Sequence, residues 1–63
     1  MDYFDKIVAI PKDFSKHDLE ELKNRYPELD FHIVETPIGV RLKISGNTTE
    51  ETIKEIEFFL ENR

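Results

Sequence analysis

Histidines and carboxylates are the side chains of this sequence that could carry acid–base chemistry or bind a metal ion. The chain has two histidines and 14 acidic residues. His17 and His32 are far apart and fall in different predicted elements. A catalytic carboxylate needs burial to raise its pKa, whereas the acidic residues here follow the pattern of exposed surfaces. We therefore expect no catalytic residue, no metal site and no cofactor.

The stretch EETIKEIEFFLEN, residues 50–62, points instead to binding. At 100° per residue a helix turns Phe59 toward its apolar side and Phe58 away from it, among glutamates. An exposed aromatic ring with a charged rim is typical of an interface anchor. We expect the acids to be largely uncompensated and to serve partner affinity rather than folding. The predicted partner-binding residues are Glu50, Glu51, Glu55, Glu57, Phe58 and Glu61.

Length and charge limit the possible functions. A chain of 63 residues is one small domain, residues 1–63, and it has no cysteine. Its apolar runs are far shorter than the ~20 residues of a membrane span, and acidic Asp2 and Asp5 are unlike the start of a signal peptide. We therefore expect a cytoplasmic protein. A net charge of −5 disfavours direct nucleic-acid binding, to which phosphate contacts contribute most of the affinity, and favours a basic protein partner.

Local patterns predict the order strand, helix, strand, strand, helix. The predicted strands are residues 3–10, 29–35 and 38–45, with the last two forming a hairpin. Ser15 and Asp18 form a predicted capping box for the first helix, which Pro27 ends. A second box, Thr48 with Glu51, is predicted to start a helix that runs to about residue 62. Gly39 and Gly46 are predicted turn residues.

Burial favours one hairpin register, in which Ile33 faces Leu42 and Phe31 faces Ile44, because one face is then apolar throughout. With the third strand in the centre, the sheet order is 2-3-1 and both helices pack on one face. The predicted fold is α+β, β-α-β-β-α. In topology it resembles a ferredoxin-like domain that lacks its fourth strand.

Three functions remain open. The first is a non-catalytic acidic module that binds a basic protein. In size and acidity, and in the acids of its last helix, the chain is similar to small phage-encoded host-takeover proteins, including DNA mimics that block nucleoid-associated HU proteins. This resemblance implies occupation of a nucleic-acid-binding surface. The second is a nucleic-acid or small-ligand binder that uses the outer sheet face through His32, Arg41, Lys43 and Tyr3. The third is a structural or designed domain with no ligand.

The first strand predicts self-association. It lies at an edge of the sheet, and edge strands are normally blocked or paired. The apolar middle of this strand carries a single charge. We therefore expect a homodimer that uses Lys6, Val8 and Ile10 at this edge.

Overall fold

The computed structural model describes residues 1–62, and they form the predicted order of elements. The elements are β1 (Asp2–Ala9), α1 (Lys16–Arg25), β2 (Asp30–Thr36), β3 (Gly39–Thr48) and α2 (Glu50–Asn62). The strands form one antiparallel sheet in the order β1-β3-β2. The predicted α+β fold and its central third strand are therefore confirmed. Among the described residues, neither helix has the length and apolar character needed to cross a membrane.

The register of the β2–β3 hairpin is the predicted one, with Ile33 opposite Leu42 and Phe31 opposite Ile44. The closing pair is Thr36 and Gly39. The Thr36 hydroxyl donates to the Gly39 carbonyl at 2.7 Å, and Gly39 has a φ of +121°, which glycine adopts without a steric penalty. Alternation from this turn points Phe31, Ile33, Leu42 and Ile44 to the same face of the sheet, whereas Val34, opposite Arg41, points to the other face.

The core lies between that inner face and the two helices. Leu22 of α1 and Ile56 of α2 are fully buried, as are Leu42 and Ile44 of β3. Both helices therefore cover the same face, as predicted. The complete buried apolar set is Val8, Leu22, Leu29, Phe31, Leu42, Ile44, Ile53, Ile56 and Leu60.

The start of α1 confirms the predicted capping box. The Asp18 backbone N–H donates to the Ser15 hydroxyl at 3.2 Å, and the Ser15 N–H donates to the Asp18 carboxylate at 2.9 Å. These two bonds satisfy backbone donors that have no partner inside the helix.

The predicted cap of α2 is wrong by one residue. Thr48 is the last residue of β3 and is only 2% exposed. Thr49 is the residue that caps the helix, because its hydroxyl accepts the Thr52 N–H at 3.2 Å. The physical reason is strand pairing, since Thr48 lies opposite Asp2 of β1 and is held in the sheet.

The predicted turn role of Gly46 is also wrong, because this residue lies within β3 opposite Phe4. It has a φ of +137°. A Cβ at this position would lie 2.9 Å from the Leu29 Cδ2 atom and 3.2 Å from the Glu28 carbonyl oxygen. Glycine is therefore needed because the chain before β2 approaches the strand closely.

Candidate functional site

A groove of about 600 Å³ runs between the C-terminal end of α1 and the outward side of α2. Four of its residues on α2 follow the spacing i, i+4, i+7 and i+11, which places them in one stripe of the helix. We call this feature the interhelical groove. Its lining residues are Arg25, Tyr26, Glu51, Lys54, Glu55, Phe58, Phe59 and Asn62.

The two adjacent phenylalanines divide as predicted. Phe59 is partly buried and packs against the core, whereas Phe58 is 66% exposed. The Asn62 side chain donates to the Phe58 carbonyl at 3.0 Å, which supplies a donor to the last turn of α2. The Phe58 ring therefore stands in solvent on a well-formed helix.

Tyr26 connects the groove to the core. Its ring lies 6.4 Å from the buried Phe31 ring, centroid to centroid, while its hydroxyl donates to the Glu55 carboxylate at 3.2 Å. Burial raises the pKa of the Tyr26 hydroxyl, and the hydrogen bond to Glu55 raises it further. The phenol therefore stays protonated at neutral pH and holds Glu55 toward the groove.

Arg25 forms the remaining contact across the groove. Its Cζ atom lies 5.3 Å from the centroid of the Phe59 ring, a distance at which a cation is attracted to the face of an aromatic ring. Its Nε atom also lies 3.8 Å from the Glu21 carboxylate, one turn earlier on α1. The guanidinium thus contacts the Phe59 ring within the groove and Glu21, which lies outside the groove lining.

The six residues predicted to bind a partner do not form one surface. Glu51, Glu55 and Phe58 line the interhelical groove. Glu57 and Glu61 instead line a separate depression beside the end of β1. This division follows from helical spacing, because Glu57 lies on the flank of α2 that faces β1.

The expectation that these acids are uncompensated is wrong for two of them, Glu57 and Glu50, which have lysine partners. Glu57 lies 3.4 Å from the Lys6 ammonium group, and Glu50 lies 3.5 Å from that of Lys54. Glu55 accepts the hydrogen bond from the Tyr26 hydroxyl described above. Within residues 1–62, Glu51, Glu55 and Glu61 have no ion-pair partner.

The net charge of the groove follows from these pairs. Both cations that line it, Arg25 and Lys54, are paired with carboxylates that lie outside its lining. The negative charges of Glu51 and Glu55 in the lining are then not balanced by an ion pair. The C-terminal end of a helix carries a partial negative charge, and the last turn of α2 as described has no basic residue. The groove is therefore apolar in its aromatic part and negative around it.

The outer face of the sheet has less free positive charge than predicted. His32 and Lys43 are opposite each other as expected, but the Lys43 ammonium lies 3.7 Å from Asp5. The Arg41 guanidinium donates to the carbonyls of Val40 at 2.8 Å and Ile38 at 3.1 Å. Arg41 therefore stabilises the hairpin turn rather than standing free for a ligand. The Tyr3 ring is 64% exposed at β1.

The position of β1 at an edge is confirmed, but the residues chosen on it are not available as predicted. Val8 is 7% exposed because it points into the core. Ile10 lies one residue beyond the end of β1. Lys6 points to the inner face and pairs with Glu57, and an inward-pointing charge of this kind is a known protection of edge strands.

No group of three histidine, aspartate or glutamate side chains is placed to hold a metal ion in the part of the chain that the structure describes. Comparison with protein-family models, with curated proteins and with solved structures found no match for this chain.

Proposed function

We propose that this chain is a non-catalytic protein-binding module whose interhelical groove docks a basic segment of another protein. The observation that carries the proposal is the side chain of Phe58, which is two-thirds exposed and lines the interhelical groove. Aromatic anchors dominate the affinity of many protein interfaces. The unpaired charge of Glu51, which lines the same groove two turns before Phe58, favours a cationic partner through electrostatic complementarity.

The outer sheet face is the weaker alternative. Its two strong cations, Arg41 and Lys43, are held by hairpin carbonyls and by Asp5. A nucleic-acid or anionic ligand would have to displace these contacts before it gained any electrostatic attraction. In the groove, the exposed Phe58 ring and the unpaired Glu51 carboxylate can be reached without breaking an ion pair of either residue.

Occupation of a nucleic-acid-binding surface, of the kind found in HU proteins, is a narrower form of the same proposal. The overall charge of −5 supports it. Mimicry of a phosphate backbone needs several free carboxylates, however, and Glu50 and Glu57 have lysine partners. DNA mimicry requires that the partner binds DNA and that duplex DNA competes with this chain for the partner. A partner that stays bound when duplex DNA is added would refute mimicry and leave groove docking intact.

The decisive experiment captures partners from bacterial lysate on the immobilised wild-type chain, with Phe58→Ala and Ile38→Ala as matched variants. Ile38 is also strongly exposed, at 79%, but lies in the hairpin turn. We expect a basic partner whose capture weakens at high salt, is lost with Phe58→Ala and is retained with Ile38→Ala. Equal recovery by both variants would contradict the proposal.

Two controls separate binding from folding. Phe58→Ala should change the free energy of unfolding by less than about 0.5 kcal/mol, because an exposed side chain contributes little. Glu51→Gln should weaken capture, whereas Glu61→Gln, which removes the same charge outside the groove lining, should leave it unchanged. Equal effects of the two glutamine variants would show that only net charge matters.

A further inference from the structure

We infer that the interhelical groove selects an arginine side chain of its partner, and that Arg25 fills the arginine position in the free chain. This inference rests on the proposed function and names the chemistry of the docked segment. Its basis is the contact between the Arg25 guanidinium and the Phe59 ring, 5.3 Å from Cζ to centroid. The chain thus displays a guanidinium already seated in its own groove.

The contacts of Arg25 are weak enough for its side chain to leave the Phe59 ring. Its ion pair with Glu21 has a separation of 3.8 Å, and both side chains are 40% or more exposed. Exposed pairs of this kind are weak. Because Glu21 is on the same helix and outside the groove lining, Arg25 can keep this pair while it swings off the ring. An incoming side chain then finds the face of Phe59 free.

The groove has acceptors for a second guanidinium edge. The Tyr26 hydroxyl donates to one oxygen of the Glu55 carboxylate, and a carboxylate has a second oxygen and further lone pairs to accept from. Glu51 lies one turn earlier in the same stripe of α2 and has no ion-pair partner among residues 1–62. A guanidinium can therefore stack on a ring and donate to a carboxylate at the same time.

This combination distinguishes arginine from lysine. The guanidinium is planar, is weakly hydrated and presents several donors in one plane, so it stacks on aromatic faces while it pairs with carboxylates. An ammonium group is a compact and strongly hydrated charge that cannot stack in this way. The face of Phe59, in a groove that Glu51 and Glu55 also line, is therefore better suited to arginine.

The test is a titration of the isotopically labelled chain, followed by nuclear magnetic resonance, with hexa-arginine, hexa-lysine and uncharged hexa-citrulline peptides. We expect signals from the groove residues to shift with hexa-arginine, with an affinity about threefold or more above that of hexa-lysine, and no shift with hexa-citrulline. Phe59→Leu, which keeps an apolar group against the core, should abolish the preference for arginine.

Arg25→Ala tests the occupant role, with Lys23→Ala as its control. Lys23 is an exposed base in the same last turn of α1, outside the groove lining, so both variants remove one positive charge. We expect Arg25→Ala to raise the affinity for hexa-arginine about threefold relative to Lys23→Ala. Arg25→Gln, which keeps a long side chain, should behave like Arg25→Ala.

Equal gains in the Arg25 and Lys23 variants would overturn the occupant role, because net charge alone would explain them. Equal affinity for hexa-arginine and hexa-lysine would overturn the selectivity. If the peptides leave the groove signals unchanged while Phe58→Ala still abolishes partner capture, this inference fails and the proposed function stands. If Phe58→Ala has no effect on capture either, both fail.

Discussion

The Tyr26 hydroxyl donates a hydrogen bond to the Glu55 carboxylate at 3.2 Å, and this contact joins the end of α1 to the middle of α2. The two residues are 29 positions apart in sequence. Burial and this bond both favour the protonated phenol, so the pKa of Tyr26 is higher in the folded chain than in the unfolded chain. A raised pKa links the stability of the fold to alkaline pH.

The loss of unfolding free energy at alkaline pH should therefore depend on Tyr26. Its contribution is fully present below the unfolded tyrosine pKa of about 10. It is lost as pH rises from there through the folded pKa, because the unfolded chain releases the proton first. Chemical unfolding at pH 8 and at about pH 11 should show a smaller alkaline loss for Tyr26→Phe than for wild type. Tyr3→Phe, which alters an exposed ring, should keep the wild-type loss. An unchanged loss in Tyr26→Phe would contradict this link.

Two glutamates one turn apart should have opposite effects on stability when changed to glutamine. Glu57→Gln breaks the 3.4 Å pair with Lys6 and should lower the free energy of unfolding by about 0.5 kcal/mol, since the pair is half exposed. Glu61→Gln removes a negative charge near the C-terminal end of α2 without breaking an ion pair among residues 1–62, whereas the relief of Glu57–Glu61 repulsion is common to both variants. Glu61→Gln should raise the free energy by about 0.5 kcal/mol. Urea denaturation at low salt measures both changes. High salt should shrink them, and a change of the same sign in both variants would be inconsistent with these contacts.

The two glycines should differ in their tolerance of alanine. Both have positive φ, so each alanine is strained. At Gly39 the new Cβ meets the flexible end of Arg41, and we expect a loss of about 1–2 kcal/mol. At Gly46 it meets buried Leu29 and the Glu28 carbonyl, and the loss should be about 3 kcal/mol or more. Thermal unfolding of both variants decides the comparison. Equal losses would mean that the close approach at Gly46 relaxes freely.

Self-association through β1 remains a prediction, and the structure changes how it must be tested. Val8→Lys would disrupt the core, because Val8 is buried. A two-fold antiparallel pairing centred on Phe4 would place Lys6 opposite Asp2 of the second copy, which would give Lys6 a second carboxylate beside Glu57. We therefore expect Asp2→Lys to weaken a dimer. Asp30→Lys makes the same charge change at the other edge strand, β2, and should not.

Sedimentation equilibrium at high micromolar concentration reads out this comparison. A dimer mass for wild type and Asp30→Lys, with a shift toward monomer for Asp2→Lys, would support pairing at β1. A monomer mass for all three proteins would refute the homodimer, and equal weakening by both lysine variants would place the contact elsewhere.

The strand order and most local features were predictable, whereas individual contacts between side chains distant in sequence were not. The Ser15 box, the hairpin register and the outward position of Phe58 each follow from residues a few positions apart. The pair between Lys6 and Glu57 joins residues 51 positions apart in sequence, so no periodicity indicates it. The acids of α2 therefore seemed freer than they are.

The end of β3 shows the same limit in the backbone. Ser45, Gly46, Asn47 and Thr48 have the composition of a turn, and a turn was predicted there. Pairing with β1 overrides this preference, with Phe4 opposite Gly46 and Asp2 opposite Thr48. The hydrogen bonds from Arg41 to the carbonyls of its own hairpin were also not predictable. An arginine on the outer face of a sheet can equally point to solvent.

The strand order β1-β3-β2 also sets a sequence of events in folding. The partner of both outer strands is the last strand of the chain, so during synthesis β1 and β2 have no native strand neighbour until β3 begins to emerge. The β2–β3 hairpin closes a short loop and can form at once, whereas β1 pairs with residues of β3 that are between 32 positions away (Ala9 and Arg41) and 46 positions away (Asp2 and Thr48). Because closure entropy rises with separation, the hairpin should form early and β1 should dock late. Lys6 places a charge on the inner face of β1. This charge should limit aggregation of the unpaired strand until α2 has formed and Glu57 can pair with Lys6.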